Sequence, residues 1–363
     1  MARFARERTV VYVEPPVYLN ALRRDLAKGQ VREKGLYFGQ SRNIQDRLYA
    51  LSTGALSPVS LRGHVGQASW WHWSSTLKRK LRELGVREYI AWLSKPSWYP
   101  AIGRIQSSQL VYHVVDEYSG YSGLTPQRRE EIRQLERKVL SLADTVIVVS
   151  RPLLESKRAL NPNVHLVPNG VDTDAYLESI GDARVPSDIA ELGRPVIGYS
   201  GLIASRLDLV LLDRLAKERP SYSLVLVGAV RDRGCETELD TLRSNPNVRF
   251  LGLKESREVP AYMKAIDVGI IPYVLNERAV NADPLKLYEY SAAGKITVAT
   301  RFSEPRSDLP FFLQAGSHNE FIHMVDKAVT LSGDTDVVAR AMDFADRNSW
   351  NDRVKSIQLL LHG

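Results

Sequence analysis

Short, continuous apolar runs rich in β-branched residues recur along the chain and fall into two series. The first series comprises Val10–Val13, Ile90–Leu93, Leu110–Val115, Thr145–Val149 and Val164–Val167, and the second comprises Pro195–Tyr199, Ser223–Val227, Val248–Leu251, Val268–Ile271 and Ile296–Ala299. Such runs are typical of strands in a parallel sheet, because both faces of each strand are buried. We therefore expect two parallel sheets.

Helical patterns separate the predicted strands. In the stretch Gln127–Leu142, apolar residues recur at helical spacing and charged residues fill the other faces. Strands and helices that alternate in this way predict right-handed crossovers between parallel strands. The expected fold class is therefore α/β, with two Rossmann-like doubly wound parallel-sheet domains.

The two series are separated by residues 171–194, where Gly, Asp, Ser and Pro are frequent and the periodicity is lost. We interpret this segment as a linker between an N-terminal domain, residues 1–170, and a C-terminal domain, residues 195–348. A last helix, predicted for residues 349–361, could join the N-terminal domain or pack on the C-terminal one. Doubly wound sheets bind ligands outside the carboxyl ends of their strands, so we expect the site in a cleft between the domains.

The composition narrows the class of protein. A chain of 363 residues with 44% hydrophobic and 25% charged residues is typical of a two-domain globular protein. The longest apolar runs are far shorter than the roughly 20 residues that a membrane helix needs. Met1–Arg8 leads directly into a predicted strand, unlike a signal peptide. Cys235 is the only cysteine, which excludes a disulfide framework and favours a reducing, cytoplasmic setting.

The charge of the chain is unevenly distributed. Residues 1–170 carry 26 Lys and Arg against 14 Asp and Glu, a net charge of +12, whereas residues 171–363 carry 23 against 28, a net charge of −5. A basic half suggests an anionic partner, such as a membrane face, a phosphorylated acceptor or nucleic acid. The alternative is an asymmetry that only affects solubility.

The turn after the strand Pro195–Tyr199 carries the first candidate binding residues. Gly201 and Leu202 follow the strand, and Arg206 precedes a helix predicted for Leu207–Glu218. Glycine lets the backbone approach a ligand closely, and the first amides of a helix bind phosphate. Arg206 could add a charge-assisted contact to a diphosphate. The alternative is an ordinary tight turn.

A second candidate lies in the run Asn281–Gly294. Pro284 suits the start of a helix, and Lys286 and Glu289, three residues apart, share one helical face. The helix start and Lys286 could hold phosphate, while the Glu289 carboxylate could accept both hydroxyls of a ribose. The alternative is that Lys286 and Glu289 form an ordinary surface ion pair.

The order of these motifs resembles the donor-binding half of glycosyltransferase family 4, a family with the two-domain GT-B fold. The resemblance rests on Pro195–Arg206, Leu226–Gly228, Val248–Gly252, Ile270–Tyr273 and Pro284–Gly294, and upstream on Ala143–Ser150 and Val167–Asp172. It covers about residues 140–300, and it is similar to bacterial polysaccharide enzymes that carry a PLKLYEY run followed by AAGK.

The resemblance implies a nucleotide-sugar site. Glu289 corresponds to the second glutamate of the family's E-x7-E motif, which holds the ribose, and the first glutamate is replaced by Asn281. Asp283 is a candidate substitute for it. The diphosphate-binding turn and its cradle correspond to Gly201, Leu202, Arg206, Pro284, Leu285 and Lys286. The remaining donor-binding candidates are Gly228, Leu251, Lys254, Pro272 and Tyr273.

Candidate acceptor-side residues follow strands of the first series. Asp116 and Glu117 come directly after Leu110–Val115, where a carboxylate could take a proton from an acceptor hydroxyl. Their alternative role is to cap the following loop. Glu14 and Pro15 follow the first strand and should shape the acceptor pocket, whereas His113 is more typical of a core histidine.

An aromatic and basic stretch completes the candidates. Trp70, Trp71 and Trp73 precede Lys78–Arg82, a combination that suits a membrane interface or a lipid-diphosphate acceptor, although the tryptophans could equally fill a core. Stacking on nucleic-acid bases is a further alternative. Two D-x-D sequences, Asp172–Asp174 and Asp334–Asp336, are more typical of turns and helix caps than of a metal site.

These observations predict a metal-independent glycosyltransferase without a cofactor. Its donor would be a nucleoside diphosphate sugar, with UDP favoured over GDP, and its acceptor a glycan or lipid-linked glycan of the cell surface. The enzyme would lie in the cytoplasm, on the inner face of an anionic membrane. Retention of configuration is favoured and inversion is the alternative. Other hypotheses are a UDP-sugar epimerase of the same fold and a nucleic-acid-binding protein, which the absence of a recognisable nucleic-acid module disfavours.

Overall fold

The computed structural model describes residues 1–14, 41–52, 63–121, 123–181, 185–231, 234–302, 306 and 308–362. The chain divides into two compact units. The first comprises Met1–Val148, Leu153–Leu166 and Ile357–Gly363, and the second comprises Val149–Pro152 and Val167–Ser356.

The first unit contains two sheets. A three-stranded sheet consists of β1 (Val10–Val13), β2 (Ser41–Gln45) and β3 (Leu48–Leu51), in the order β1-β3-β2. A four-stranded sheet consists of β4 (Ile90–Leu93), β5 (Gln109–Val114), β6 (Thr145–Val148) and β7 (Val164–Leu166), in that order and entirely parallel. The helices are α1 (Gly63–Glu83), α2 (Tyr99–Ile102), α3 (Pro126–Leu142) and α4 (Arg151–Arg158), the last of which begins among residues of the second unit.

Local sequence explains where α3 begins. The Thr125 hydroxyl accepts a hydrogen bond from the Arg128 amide at 3.2 Å, and Pro126 occupies the first turn, where a missing N–H costs nothing. The buried side of the helix carries Val139, Leu140 and the carboxyl group of Glu136. The helix therefore brings both apolar and ionisable side chains into the core of the first unit.

The second unit contains one six-stranded parallel sheet. Its strands are β8 (Val196–Ser200), β9 (Ser223–Val227), β10 (Val248–Gly252), β11 (Val268–Ile271), β12 (Ile296–Thr300) and β13 (Phe312–Ala315), in the spatial order β10-β9-β8-β11-β12-β13. The helices are α5 (Thr173–Gly181), α6 (Ser187–Ala190), α7 (Leu209–Glu218), α8 (Glu236–Arg243), α9 (Val259–Ala265), α10 (Glu277–Val280), α11 (Leu285–Ala292), α12 (His318–Leu331), α13 (Thr335–Asp346) and α14 (Trp350–His362). This strand order is that of a dinucleotide-binding Rossmann sheet.

The predicted fold class is confirmed: both units are α/β and contain parallel sheets. The sequence patterns did not indicate β2, β3 and β13. The strands of the first series were expected to form one sheet, but β1 lies in the three-stranded sheet and not with β4 to β7. The predicted linker carries α5 and α6, and its residues Tyr176 and Ile189 are buried in the core of the second unit. That segment therefore belongs to the second unit, which also contains the first part of α14.

Candidate active site

The strand order of the second unit places its topological switch point between β8 and β11. From β8 the chain proceeds to β9 and β10 on one side of the sheet, while β11 pairs with β8 on the other side. The crevice at the carboxyl ends of two such strands is the usual ligand site of an open α/β sheet. Gly201 follows β8 and Pro272 follows β11, so these predicted donor-binding residues lie at that crevice.

Two glycines allow the turns after β8 and β9 to approach each other closely. The Gly201 amide donates to the Val227 carbonyl at 2.8 Å. Gly228 has a φ of +145°, and a Cβ there would lie 1.9 Å from the Gly201 carbonyl oxygen. A Cβ on Gly201, whose φ is +134°, would instead lie 2.7 Å from the Lys286 Nζ atom. The lack of a side chain at Gly201 therefore lets the Lys286 ammonium approach the backbone of the first turn closely.

Lys286 lies in the first turn of α11, just after Pro284, which occupies the N-cap position. Its ammonium lies 5.2 Å from the centre of the Tyr199 ring, and within the described part of the chain no carboxylate lies at ion-pair distance from it. The first amides of a helix carry partial positive charge. Beside these amides, an ammonium that has no ion-pair partner among the described residues makes this end of the sheet attractive to anions.

Glu289 lies one turn further along α11. Burial raises the pKa of its carboxyl group, and the positive charge of Lys286 offsets part of that effect. Among the described residues the carboxylate has no hydrogen-bond partner, and Lys286 and Glu289 do not approach within ion-pair distance. The pair therefore does not match the alternative of an ordinary surface ion pair, and Glu289 keeps its hydrogen-bonding capacity for another group.

The guanidinium of Arg206 interacts with a neighbouring aromatic residue. Its guanidinium lies 4.5 Å from the centre of the Tyr273 ring and donates to the Tyr273 hydroxyl. The Val274 amide in turn donates to the Arg206 carbonyl at 3.0 Å. Arg206 and Tyr273 thus join the turns after β8 and β11, and the guanidinium keeps further donors because Arg carries five N–H groups.

Tyr290 is a further residue of this site that the sequence pattern did not single out. The hydroxyl of Tyr290, a fully buried residue of α11, accepts from the Ser200 amide at 3.1 Å and donates to the Ile270 carbonyl at 3.3 Å. It therefore ties the ends of β8 and β11 to the helix that carries Lys286 and Glu289. Its only sign in the sequence is a tyrosine on the apolar face of α11, which is common in ordinary cores.

Asn281 and Asp283 have structural contacts. The Asn281 side chain donates to the Glu277 carbonyl at 2.7 Å and closes α10. One oxygen of Asp283 accepts from the Asn169 amide at 2.6 Å and the other from the Tyr288 hydroxyl at 2.8 Å. Since both oxygens of Asp283 already accept, this geometry does not support its expected role as a substitute for the missing glutamate.

Other donor-side candidates are distributed around the same sheet edge. Leu202 and Leu251 are half-buried, and Leu285 is exposed at the start of α11. The ammonium of Lys254 lies 2.7 Å from a carboxylate oxygen of Asp188 and 4.8 Å from the centre of the Tyr262 ring. Lys254 is therefore held by a residue of α6 and does not present a free charge.

The two carboxylates predicted for acceptor chemistry have different surroundings in the first unit. Asp116 is half-buried beyond the carboxyl end of β5 and accepts a hydrogen bond from the Tyr121 hydroxyl at 2.8 Å. Glu117 is buried, and its carboxylate lies 2.9 Å from the Lys157 ammonium and accepts from the Ser119 hydroxyl at 2.7 Å. The catalytic expectation for Glu117 is therefore replaced by a structural role, since an ion-paired buried carboxylate does not reach a substrate.

His113 has the surroundings expected of a core histidine. Its ring stacks edge-on against Trp92, with 5.6 Å between the ring centres. Burial, with a smaller effect of the chain's N-terminal ammonium, lowers the pKa of His113 to about 4, so the imidazole is neutral at pH 7.

The tryptophans of α1 have separate roles. Trp70 and Trp73 are buried in a cluster with Leu77, Leu81 and Ala101, which favours the core alternative over acceptor binding. Trp71 is 70% exposed on the opposite side of the helix.

Glu14 forms an ion pair with Arg42 at 2.5 Å, and Pro15 lies outside the described residues.

One of the two D-x-D sequences caps a helix. The Asp334 side chain caps α13 by accepting from the Asp336 and Val337 amides. Within the described ranges, no group of three or more His, Cys, Asp or Glu side chains is arranged to hold a metal ion. Likewise, no helix in those ranges is long and apolar enough to cross a membrane.

Two sequence comparisons show which known proteins this chain is similar to. Residues 194–330 match the family model described as Glycosyl transferases group 1. Over 276 residues, which are 72% of this chain and 68% of the relative, the chain is 29% identical to TuaH of Bacillus subtilis (strain 168), which is named as a candidate glycosyltransferase of teichuronic acid biosynthesis.

Solved structures share the fold. Sucrose-phosphate synthase from Thermosynechococcus elongatus aligns with 99% of this chain and 90% of its own, with a TM-score of 0.70 and 15% identity. HepE of Anabaena, in complex with UDP and glucose, aligns with 87% of this chain and 86% of its own, with a TM-score of 0.63 and 15% identity. The matched domain contains β8, β11 and α11, the elements that build the crevice. Residues 194–330 are therefore similar to the group 1 glycosyl transferases, and the chain shares its two-domain α/β fold with these solved structures.

Proposed function

We propose that the chain transfers a sugar from a nucleoside diphosphate sugar to a glycan or lipid-linked acceptor. The observation that carries the proposal is the pair of charged groups on α11, since neither the Lys286 ammonium nor the Glu289 carboxylate has an ion-pair partner among the described residues. Both groups lie beside the switch point of a Rossmann sheet, where a nucleotide is the usual ligand.

Each group fits one part of the donor. The diphosphate would lie against the turn at Gly201, whose lack of a side chain lets the Lys286 ammonium approach the backbone, and would receive hydrogen bonds from the start of α11. Arg206 would add a second positive charge. The ribose would lie at Glu289, because a carboxylate accepts two hydroxyl hydrogen bonds at once.

UDP is our favoured nucleotide and GDP the alternative. The fold likeness to HepE, which was solved with UDP and glucose, supports UDP. The sequence similarity to TuaH supports an acceptor in cell-surface polysaccharide assembly. Asn281 and Asp283 are engaged in structural contacts, so neither is assigned to recognition of the donor sugar.

Asp116 is the proposed catalytic residue on the acceptor side. If the reaction inverts the anomeric centre, Asp116 accepts the proton of the acceptor hydroxyl as general base. If the reaction retains configuration, the leaving phosphate assists and Asp116 orients the acceptor. The proposal requires neither a metal nor a cofactor.

The first unit would contact an anionic membrane through one face of α1. One face of α1 carries four residues at helical spacing, namely Trp71, Ser75, Lys78 and Arg82. Of these, Trp71, Lys78 and Arg82 are exposed, and so is the adjacent Arg79. An exposed tryptophan beside a basic stretch suits the interface of an anionic bilayer. This proposal places the protein on the cytoplasmic membrane face, where lipid-linked acceptors are available.

Calorimetric titration with UDP, GDP and their sugars tests the donor site. We expect binding of a nucleoside diphosphate, weakened at least about tenfold by Glu289→Ala and by Lys286→Ala, since each removes a hydrogen bond to a charged group. Glu218→Ala and Lys217→Ala are the matched controls, because both residues form exposed ion pairs on α7. Failure to bind any of these nucleotides would refute the proposed function.

Incubation with a UDP-sugar but without an acceptor distinguishes a transferase from an epimerase. A transferase leaves the donor intact or hydrolyses it slowly, whereas an epimerase interconverts two UDP-sugars. Salt-sensitive retention on DNA or RNA would instead favour the nucleic-acid hypothesis.

A further inference from the structure

The loop after β5 carries two tyrosine rings beside Asp116. The rings of Tyr118 and Tyr121 are stacked, with 6.0 Å between their centres and an angle of 2° between their planes. Both are partly exposed. At this separation two parallel rings are offset, so they present a stepped aromatic surface rather than a closed stack.

Hydrogen bonds hold both rings at the ends of neighbouring strands. The Tyr118 hydroxyl donates to the carbonyl of Ser94, the residue after β4, at 2.5 Å, and the Tyr121 hydroxyl donates to Asp116 at 2.8 Å. The surface therefore lies at the carboxyl edge of the four-stranded sheet, which is the ligand-binding edge of parallel sheets.

A buried ionic cluster fixes the backbone of the same loop. Glu117 is paired with Lys157, and Ser119 donates to Glu117 through both its hydroxyl and its amide. The Arg129 guanidinium donates to the Ser119 carbonyl. Buried ion pairs rarely add net stability compared with apolar residues, and one of their attested uses is to fix a particular conformation. Here the conformation that is fixed is the one that presents Tyr118, Tyr121 and Asp116 together.

We propose that Tyr118 and Tyr121 form the acceptor-sugar subsite, on which the apolar face of a pyranose ring stacks while one of its hydroxyls faces Asp116. The inference rests on the proposed transferase function. A pyranose has C–H groups on its faces and hydroxyls around its edge, and the loop offers aromatic area beside a carboxylate. Tyr121 has a second role as a positioning residue, because its hydroxyl holds the Asp116 carboxylate.

Removing the rings tests the subsite. Initial rates are measured with the UDP-sugar that binds and with three acceptor probes: methyl β-D-glucopyranoside, methyl β-D-galactopyranoside and methyl N-acetyl-β-D-glucosaminide. We expect Tyr118→Leu and Tyr121→Leu to raise the acceptor KM about tenfold, with the UDP dissociation constant unchanged. Tyr118→Phe keeps the ring and should leave KM within about twofold. Tyr121→Phe should lower kcat more than it raises KM, since Asp116 loses its anchor.

Tyr12→Leu is the matched control, because Tyr12 is an exposed tyrosine of β1, in the other sheet of the same unit. Binding of the three glycosides is also measured by saturation-transfer NMR without nucleotide, so the subsite is tested even if no UDP-sugar binds and the proposed function fails. The inference is overturned if none of the three glycosides binds to the wild-type protein, if the leucine variants keep the wild-type acceptor KM, or if Tyr12→Leu has the same effect.

Discussion

Lys157 offers the sharpest test of how the first unit is stabilised. Its ammonium lies 2.9 Å from a Glu117 oxygen and 2.8 Å from a Glu136 oxygen, and the three side chains are between 6% and 9% exposed. Tyr112 donates to the other oxygen of Glu136 at 3.0 Å. Lys157→Met keeps most of the apolar stem but leaves two buried carboxylates without a counter-charge.

The magnitude follows from that geometry. Removing one partner of a buried ion pair costs about 3–5 kcal/mol, because the remaining charge stays desolvated. Lys157 serves two carboxylates, but these can take up protons instead of remaining charged. We therefore expect Lys157→Met to lower the free energy of unfolding of the first unit by about 3–5 kcal/mol at pH 7.

The pH dependence has a definite sign. In the wild type, burial acts to raise the pKa of Glu117, but Lys157 and Ser119 outweigh it and hold the pKa below its usual range. Glu117 therefore stabilises the fold above its unfolded pKa, and this contribution is lost as pH falls through the folded pKa. Burial raises the pKa of Glu136 even beside Lys157, so ionisation of Glu136 opposes folding as pH rises.

Without Lys157, both carboxyl groups have raised pKa values. The protonated forms are then tolerated in the core, so the deficit of the variant should shrink as pH falls toward the ordinary glutamate value of about 4.3. The triple variant Lys157→Met, Glu117→Gln, Glu136→Gln should likewise recover part of the lost stability at pH 7, because no buried charge remains.

Urea unfolding followed by tryptophan fluorescence measures this effect. Five of the six tryptophans lie in the first unit, so the fluorescence reports mainly on that unit. Arg128→Met is the control, since Arg128 forms an exposed ion pair with Glu131 on α3 and should cost at most about 1 kcal/mol. A loss below about 1 kcal/mol for Lys157→Met at pH 7, or an equal loss at pH 4.5, would refute the reasoning.

Two further predictions concern the glycine turns and the membrane face. Gly228→Ala should cost about 3 kcal/mol or more, because its Cβ meets the Gly201 carbonyl at 1.9 Å, whereas Gly201→Ala meets the movable end of Lys286. In thermal unfolding, Gly201→Ala should therefore lower the stability less than Gly228→Ala does. Among variants that still fold, Gly201→Ala should weaken UDP binding more than Gly228→Ala does. The reverse order would contradict the proposed site. On vesicles rich in phosphatidylglycerol, neutralising Lys78, Arg79 and Arg82 should weaken cosedimentation by about a hundredfold, at roughly 1 kcal/mol per charge. Trp71→Ala should weaken it too, whereas neutralising Arg214 and Lys217 on α7 should not, and equal loss for both sets would count against this face.

Local pattern was sufficient for the parallel strands. In β9 and β11 the predicted bounds are those observed, because a strand buried on both faces needs a continuous apolar run whatever its neighbours are. The strand β2, Ser41–Gln45, has no such run, since most of its side chains are exposed and its pairing with β3 defines it. The turn that carries Gly201 and the helix α11 that carries Lys286 and Glu289 were also predictable, because the turn follows one apolar run and the helix precedes another.

Tertiary structure decided which partners the polar and aromatic candidates have. Asp116 and Glu117 are adjacent in sequence, yet one is half-buried beside Tyr121 and the other is paired with Lys157, which lies 40 residues further along the chain. Asp283 is likewise engaged by Asn169, 114 residues before it. The sequence by itself determined the α/β class, most of the parallel strands, and the positions of the turn after β8 and of α11, because those depend on short-range pattern. Only the fold decided which side chains form hydrogen bonds and ion pairs within the protein, because the partners in these contacts come from distant parts of the chain.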